Sequence, residues 1–252
     1  MNEIIESLYR RKSARLFSDK PVAPEEKLAL LRCAAQAPTA GNQQLYTIID
    51  VTDAAEKQQL AASCDNQGFI AKAPVVLVFL ADGTRWQNGY RLAGASPRAP
   101  GPGDLLLAFA DACIAAQNVV IAAESMGIGS CYIGDILENR EQQRHILGFP
   151  ETCVPACMLV LGYPAPSQVE RKKPPRFDVG DYVCENRYTA LSDSALRSMF
   201  ERRENLSGSA APKPLDAWLR AFCERKYNSA FSDEMNRSAR EYLKEFDADI
   251  GE

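Results

Sequence analysis

Between residues 10 and 15 the chain carries four cations and one hydroxyl, Arg10, Arg11, Lys12, Ser13 and Arg15. A guanidinium presents a planar fork of N–H donors that matches two oxygens of a phosphate, so this grouping suits phosphate binding. The same residues also suit the C-terminal end of a short helix through Ile4, Ile5 and Leu8, where solvated cations complement the helix dipole. Both readings stand on these residues alone. A second basic group, Lys172-Lys173-Pro174-Pro175-Arg176, is a stiff loop, because its two prolines fix φ and deny a helix.

Much other chemistry is excluded. The one histidine, His145, sits mid-helix beside Ile146 and Leu147, where a solvated or capping role suits it, and no G-x-S-x-G elbow accompanies it. Cys153 and Cys157 are separated by three residues and have no second ligand pair, so no zinc site is legible. No GxxxxGK[ST] loop occurs, and Gly127-Ile128-Gly129 lacks the third glycine of a dinucleotide fingerprint and follows a helix. What remains is chemistry that a bound redox cofactor performs itself, with the protein supplying phosphate anchors, an apolar slot and hydrogen bonds to a ring edge.

The 252 residues are 46% hydrophobic and 25% charged, ordinary for a globular chain with a real core. A net charge of −4 argues against a nucleic-acid partner. Asn2, Glu3 and Glu6 interrupt any signal-peptide pattern. The greasiest stretch, Leu105 to Met126, carries Asp111, Gln117, Asn118 and Glu124, which are costly in lipid, so no membrane span is expected. With no leader, the eight cysteines are expected to be buried free thiols and the protein cytoplasmic.

The elements that must position these residues are legible in part. Pro24 and the acidic pair Glu25 and Glu26 open a helix to Gln36. Thr47 to Thr52 reads as a strand, Asp53 with Glu56 as a capping box for a helix through Ala62, and Asn139 with Gln142 as another for a helix to Leu147. The apolar run Pro74 to Leu80 suits a central strand covered on both faces. Arg91 to Gly103 reads as a long mobile loop or lid. Leu105 to Met126, apolar nearly all round, reads as a buried helix ended by Gly127. Ser130 to Ile133 and Ala156 to Tyr163 are short strands. Helices are expected over Ser192–Arg203, Leu215–Tyr227 and Asp233–Phe246, with a connector from Ser207 to Pro214. The sum is an α+β core, residues 1–190, with a helical C-terminal extension, residues 191–252.

Five segments, in order, resemble one family. Arg11-Lys12-Ser13-Ala14-Arg15-Leu16-Phe17 is similar to the R-x-S-x-R-x-F signature of FMN-dependent nitroreductases, and Ala37-Pro38-Thr39-Ala40-Gly41-Asn42-Gln43-Gln44 to their A-P-[ST]-[AS]-x-N-x-Q loop. Asn66-Gln67 before Ala71-Lys72-Ala73-Pro74-Val75-Val76 resembles the next element, and Gly127 to Gly134 the G-x-G-x-x-Y-I-G strand entry. Lys173 to Arg176 with Cys184-Glu185-Asn186-Arg187-Tyr188 resembles the basic loop and H-E-N-x-Y segment of the NADPH-linked flavin reductase and oxygen-insensitive nitroreductase branch.

The resemblance implies a nitroreductase-like fold: a central mixed or antiparallel sheet flanked by helices, in an intertwined homodimer with FMN at the interface. It implies FMN contacts from Arg11, Lys12, Ser13, Arg15, Gln67, Tyr132, Ile133, Gly134, Lys173 and Arg176. Thr39, Ala40, Gly41, Asn42 and Gln44 would reach FMN from the partner subunit. Arg15 and Asn42, with Arg202 and Arg203 as a clamp for a 2′-phosphate, would meet the substrate or NADPH; a plain surface pair at a helix end reads equally well for the last two. The implied reaction is ping-pong: NADPH or NADH reduces the flavin at N5, and a nitroaromatic, quinone or flavin then takes the electrons in the same slot. A reductive dehalogenase-like branch and a non-catalytic flavin-binding protein are the alternatives. An extra proline lets Lys172 stand in for Lys173, and Cys184 replaces the usual histidine.

Overall fold

The computed structural model describes residues 2–206 and 214–247. Helices α1 (Glu3–Arg10) and α2 (Pro24–Ala35) precede strand β1 (Tyr46–Asp50), helix α3 (Ala54–Ser63), strand β2 (Val75–Ala81) and helices α4 (Thr84–Leu92) and α5 (Pro102–Ser125). Strand β3 (Gly129–Ile133), helix α6 (Arg140–Leu147), strand β4 (Val154–Gly162) and helices α7 (Pro166–Glu170), α8 (Asp193–Leu206), α9 (Leu215–Lys226) and α10 (Ala230–Leu243) follow. The architecture is α+β. Contacts divide it into two compact units: one runs through Arg171 and resumes at Asp233, and the other is Lys172–Ser232.

In the first unit the four strands lie in the order β1-β2-β4-β3, every pair antiparallel. β2 is buried along its whole length, as its unbroken apolar run requires. Strand side chains alternate between faces. Val76, Val78 and Leu80 therefore join a core with Leu60 of α3 and with Tyr242 and Phe246 near the C-terminus. Val75, Leu77 and Phe79 join the other, with Leu30 and Ala34 of α2 and Ala112, Ala116 and Val119 of α5. Fully burying a side chain such as Leu77 or Phe79 stabilises the fold by about 1.5–3 kcal/mol. Pro155 sits in β4 where the register slips between Phe79 and Leu80, a bulge that accommodates a residue with no N–H.

Local punctuation acts as its chemistry dictates. Pro24 occupies the first turn of α2, Asp53 accepts from the amides of Ala55 and Glu56, and Gly127 follows α5 with φ +71°. Four expectations need correction. The Arg91–Gly103 loop shrinks to residues 93–101, because α4 reaches Leu92 and α5 begins at Pro102, where Asp104 accepts from the Gly101 amide at 2.8 Å. Asn139 does not cap α6 through a capping box: it is left-handed, at φ 51°. The Asn139 and Arg140 amides instead donate to Glu234 and Ser238 of α10 at 3.0 Å each, a cap supplied from about a hundred residues away. Nor is α5 buried all round. It lays one face on the sheet and leaves Leu106 70% and Leu107 54% exposed.

The thiols are the fourth correction. All eight cysteines are free, but only Cys64, Cys131, Cys153 and Cys157 are buried, while Cys184 and Cys223 are exposed. By length and composition α5 could cross a bilayer; here it is a core helix. The expected connector at 207–213 lies outside the described residues.

Candidate active site

The basic segment after α1 is extended and pinned across the ends of β3 and β4. The Ala14 amide donates to the Ser130 carbonyl at 2.9 Å, Ser18 to Tyr163 at 2.8 Å, and Ala165 returns a bond to Leu16 at 3.0 Å. Buried Gln168 clamps it further, accepting from the Arg15 amide and donating to the Ser13 carbonyl, both at 3.1 Å. Two glycines permit this close approach: a Cβ at Gly129 would stand 2.7 Å from Ala14 Cβ, and one at Gly162 would stand 2.8 Å from the Phe17 ring.

Alternation along an extended chain puts Arg11, Ser13 and Arg15 on one side and Lys12 on the other. The structure uses both sides. Lys12 Nζ donates to the Val169 carbonyl at 2.5 Å and to that of Arg171, so it tethers the segment. Arg11, Ser13 and Arg15 gather around Cys131 of β3. Burial pushes the Cys131 thiol up, partly offset by Arg15, Ser13 and Arg11. Arg15 also lies 5.8 Å over the Phe69 ring.

Gln67 arrives on the turn after α3, where Asp65 and Asn66 are both left-handed. Its Nε2 donates to Asp135 and, at 3.0 Å, to the Cys64 carbonyl. Asp135 directly follows Gly134, so the Gln67 turn and the end of β3 adjoin. Tyr132 is partly exposed, and its hydroxyl donates to Gln117 of α5 at 3.2 Å. Burial raises its pKa, with Cys157 and Cys113 adding to the rise. A hydrogen bond between Cys113 and Cys157 lowers the Cys113 thiol and raises that of Cys157. Ile133 turns its side chain into the core and offers only backbone outward. Gly134 has φ −82° and open space where a Cβ would sit, so nothing in the protein itself requires a glycine there.

The loop Thr39–Gln44 is built on a single buried carboxylate. Asp111 of α5 accepts from the Thr39 hydroxyl and from the amides of Ala40 and Leu45 at 2.9 and 3.1 Å. Gly41, Asn42 and Gln44 are all left-handed, a concentration of strain typical of functional loops. The described side-chain bonds of this loop run to Asp111, to the Ala35 carbonyl, to the Tyr90 hydroxyl, to Arg85, and to Trp86, whose indole donates to the Gln43 carbonyl at 2.7 Å. Within one chain they do not reach the Cys131 cluster. A cavity of about 680 Å³ lies beside the loop, lined by Gln43, Trp86, Tyr90, Arg98, Leu105 and Phe246 among others, and no residue expected at the site lines it. Its two arginines are engaged, Arg91 with Asn88 at 3.0 Å and Arg98 with Asp104 at 2.5 Å.

The remaining expected residues belong to the second unit. Lys173 and Arg176 lie in a loop without helix or strand. Arg202 is ion-paired with Asp181 at 2.5 Å, and Arg203 lies 4.7 Å over Phe177 and 5.9 Å over Trp218. Arg203 thus packs on the cluster of Phe177, Phe200 and Trp218, while Arg202 is held by Asp181. The Cys184 thiol accepts from the Thr189 amide at 3.4 Å, closing a turn. Sequence reasoning missed Gln168, Cys131, Asp111 as a loop organiser and Asp135 as the partner of Gln67. Only Asp111 carried a signal, as a charge inside an apolar helix.

This arrangement fits a flavin mononucleotide. Among the described residues neither Arg11 nor Arg15 has a carboxylate partner, leaving positive charge to meet a phosphate. The open space at Gly134 admits a ring beside the backbone.

The chain belongs to the Nitroreductase family, whose model matches residues 8–163. It is similar to FMN reductase (NADPH) of Bacillus subtilis, 31% identical over 252 residues that cover 98% of this chain and 96% of that protein. It is also similar to the oxygen-insensitive NADPH nitroreductase of Salmonella typhimurium, 32% identical over 78% of this chain and 79% of the other. The structure of NfrA1 nitroreductase from B. subtilis superposes with a TM-score of 0.79 at 27% identity, covering 94% of this chain and 98% of that one.

Proposed function

We propose that the chain is an FMN-dependent NAD(P)H oxidoreductase that reduces nitroaromatics, quinones or flavins by a ping-pong scheme, as a homodimer. The observation that carries this reading is the pinning of the basic segment on β3 through the Ala14–Ser130 bond, which sets Arg11, Ser13 and Arg15 beside Cys131 with no carboxylate partner for either arginine among the described residues. When bound, FMN supplies a ring that accepts two electrons from a nicotinamide and passes them on.

The chain's residues do the positioning. Arg11 and Arg15 hold the phosphate, with Ser13 donating a hydroxyl. Gln67, steadied by Asp135, hydrogen-bonds the pyrimidine edge, and Gly134 leaves room for the ring face. Lys173, or Lys172 in its place, and Arg176 add cations toward the phosphate and the N1–O2 end. Arg15 and Asn42 meet the incoming substrate. The strained Thr39–Gln44 loop serves the partner's flavin, which agrees with its having no bond to this chain's own cluster. Exposed Ile4 and Tyr9 of α1 and Leu106, Leu107 and Ile114 of α5 form the apolar surface for subunit pairing. Both named sequence relatives use NADPH, which favours it as donor.

Purified protein should be yellow and bleach under anaerobic NADPH, and initial rates with a quinone should give parallel double-reciprocal lines. A colourless protein that takes up no FMN overturns the reading.

A further inference from the structure

We propose that Asp65, Asp135 and Glu138 form a binding site for a hard divalent cation. One carboxylate oxygen from each lies within 4.8 Å of the others. Oxygens bound to one ion at 2.3–2.6 Å lie no more than about 5 Å apart, so a single Ca²⁺-sized ion can touch all three. The residues come from two separate turns. Asp65 sits on the left-handed turn after α3, and Asp135 and Glu138 follow β3.

The second observation is the state of Glu138. It is 2% exposed, and its Oε1 has no hydrogen-bond partner. A lone carboxylate is costly to bury unless a counter-charge reaches it. Its neighbours make matters worse, because Asp135 is within hydrogen-bonding reach and Asp65 is close by. Among the described residues no lysine or arginine is ion-paired with any of the three; Arg140, two residues on, pairs with Glu245 through one guanidinium nitrogen, and its buried Nε, without a partner, makes no bond to Glu138. Two carboxyl groups in contact need either a shared proton or a bridging cation.

The chemistry of the set selects the ion. Three carboxylates with no imidazole or thiol suit Ca²⁺, Mg²⁺ or Mn²⁺ over softer metals. Exposed Asp65 gives an ion entry from solvent and leaves positions for water. The Gln67 amide donates to Asp135 and orients it, as an outer partner of a metal ligand does. The site stands whether or not flavin binds.

The test is calorimetric titration of the chelator-treated full-length protein with CaCl₂, MgCl₂ and MnCl₂ in turn, with melting temperature followed in parallel. At least one ion should bind once per chain, with a dissociation constant on the order of 10⁻⁴ M or tighter, and raise the melting temperature. Glu138→Gln and Asp65→Asn should each weaken it about ten-fold or more. Asp65 is exposed, so Asp65→Asn decides the matter if Glu138→Gln does not fold. Absence of saturable binding for every ion up to about 10 mM, or unchanged binding in Asp65→Asn, overturns the site and leaves the shared proton as the resolution.

Discussion

The side-chain amide of Gln168 accepts from the Arg15 amide and donates to the Ser13 carbonyl, both at 3.1 Å, and so locks the backbone on either side of Ala14. Gln168 is 2% exposed, so neither bond has water as a substitute. Replacing it with leucine strands two backbone groups, at about 1–3 kcal/mol each. Gln168→Leu should lower the melting temperature and weaken FMN binding, read by flavin fluorescence, although no atom of Gln168 need touch the cofactor. Unchanged flavin affinity would show that the clamp matters to stability alone.

Arg11 and Arg15 carry charge that no carboxylate among the described residues neutralises. The double variant Arg11→Ala with Arg15→Ala should keep its circular dichroism spectrum and lose flavin. Two charge-assisted contacts at about 1.5–3 kcal/mol each correspond to a hundred-fold or greater rise in dissociation constant. Flavin occupancy at the level of the parent would place the phosphate elsewhere.

Gly129 and Gly134 should separate packing from binding. A methyl group at Gly129 meets Ala14 Cβ at 2.7 Å and the Pro164 ring at 2.8 Å, so Gly129→Ala should destabilise by about 1–3 kcal/mol and loosen the basic segment. Gly134→Leu meets open space, so stability should hold within about 0.5 kcal/mol while FMN affinity falls. Melting curves and flavin titrations on the two variants should rank them in opposite orders.

Asp82 gives a pH signature. Burial pushes its carboxyl up, but hydrogen bonds from Thr47 at 2.6 Å and from the Thr84 hydroxyl and amide more than reverse this, leaving it below its ordinary 3.8. A carboxylate depressed in the folded state stabilises fully above its unfolded pKa, and that contribution fades as pH falls through the lower folded value. The tie between β1 and the start of α4 should therefore weaken only below about pH 4. Asp82→Asn should lower stability at neutral pH and flatten the acid limb; parallel acid limbs would assign the acid response to other groups.

Sequence patterns and folded contacts divided the explanatory work along a physical line. The unbroken run Val75–Ala81, Pro24 at a helix start, Asp53 as a cap and Gly127 as a stop act through neighbours a few residues away, and each element formed where its residues place it. Family membership was likewise legible, in the motif segments at 11–17, 37–44, 66–76 and 127–134, because each motif falls within a short stretch of chain.

Contacts between residues far apart in the chain were not. Asn139 looked like a cap because it precedes a helix, yet Glu234 and Ser238 supply the cap. Arg202 and Arg203 looked free until Asp181 and Phe177 appeared beside them. Gln168 is an ordinary polar residue in the sequence and a clamp in the fold. Residue identity alone determined the local elements and the type of chemistry available, since dihedral preference, apolar periodicity and donor sets are properties of short segments. Only the tertiary structure decided which cations stay unpaired, which carboxylates are buried together and which glycines make room, because each depends on what chain closure brings within a few ångströms.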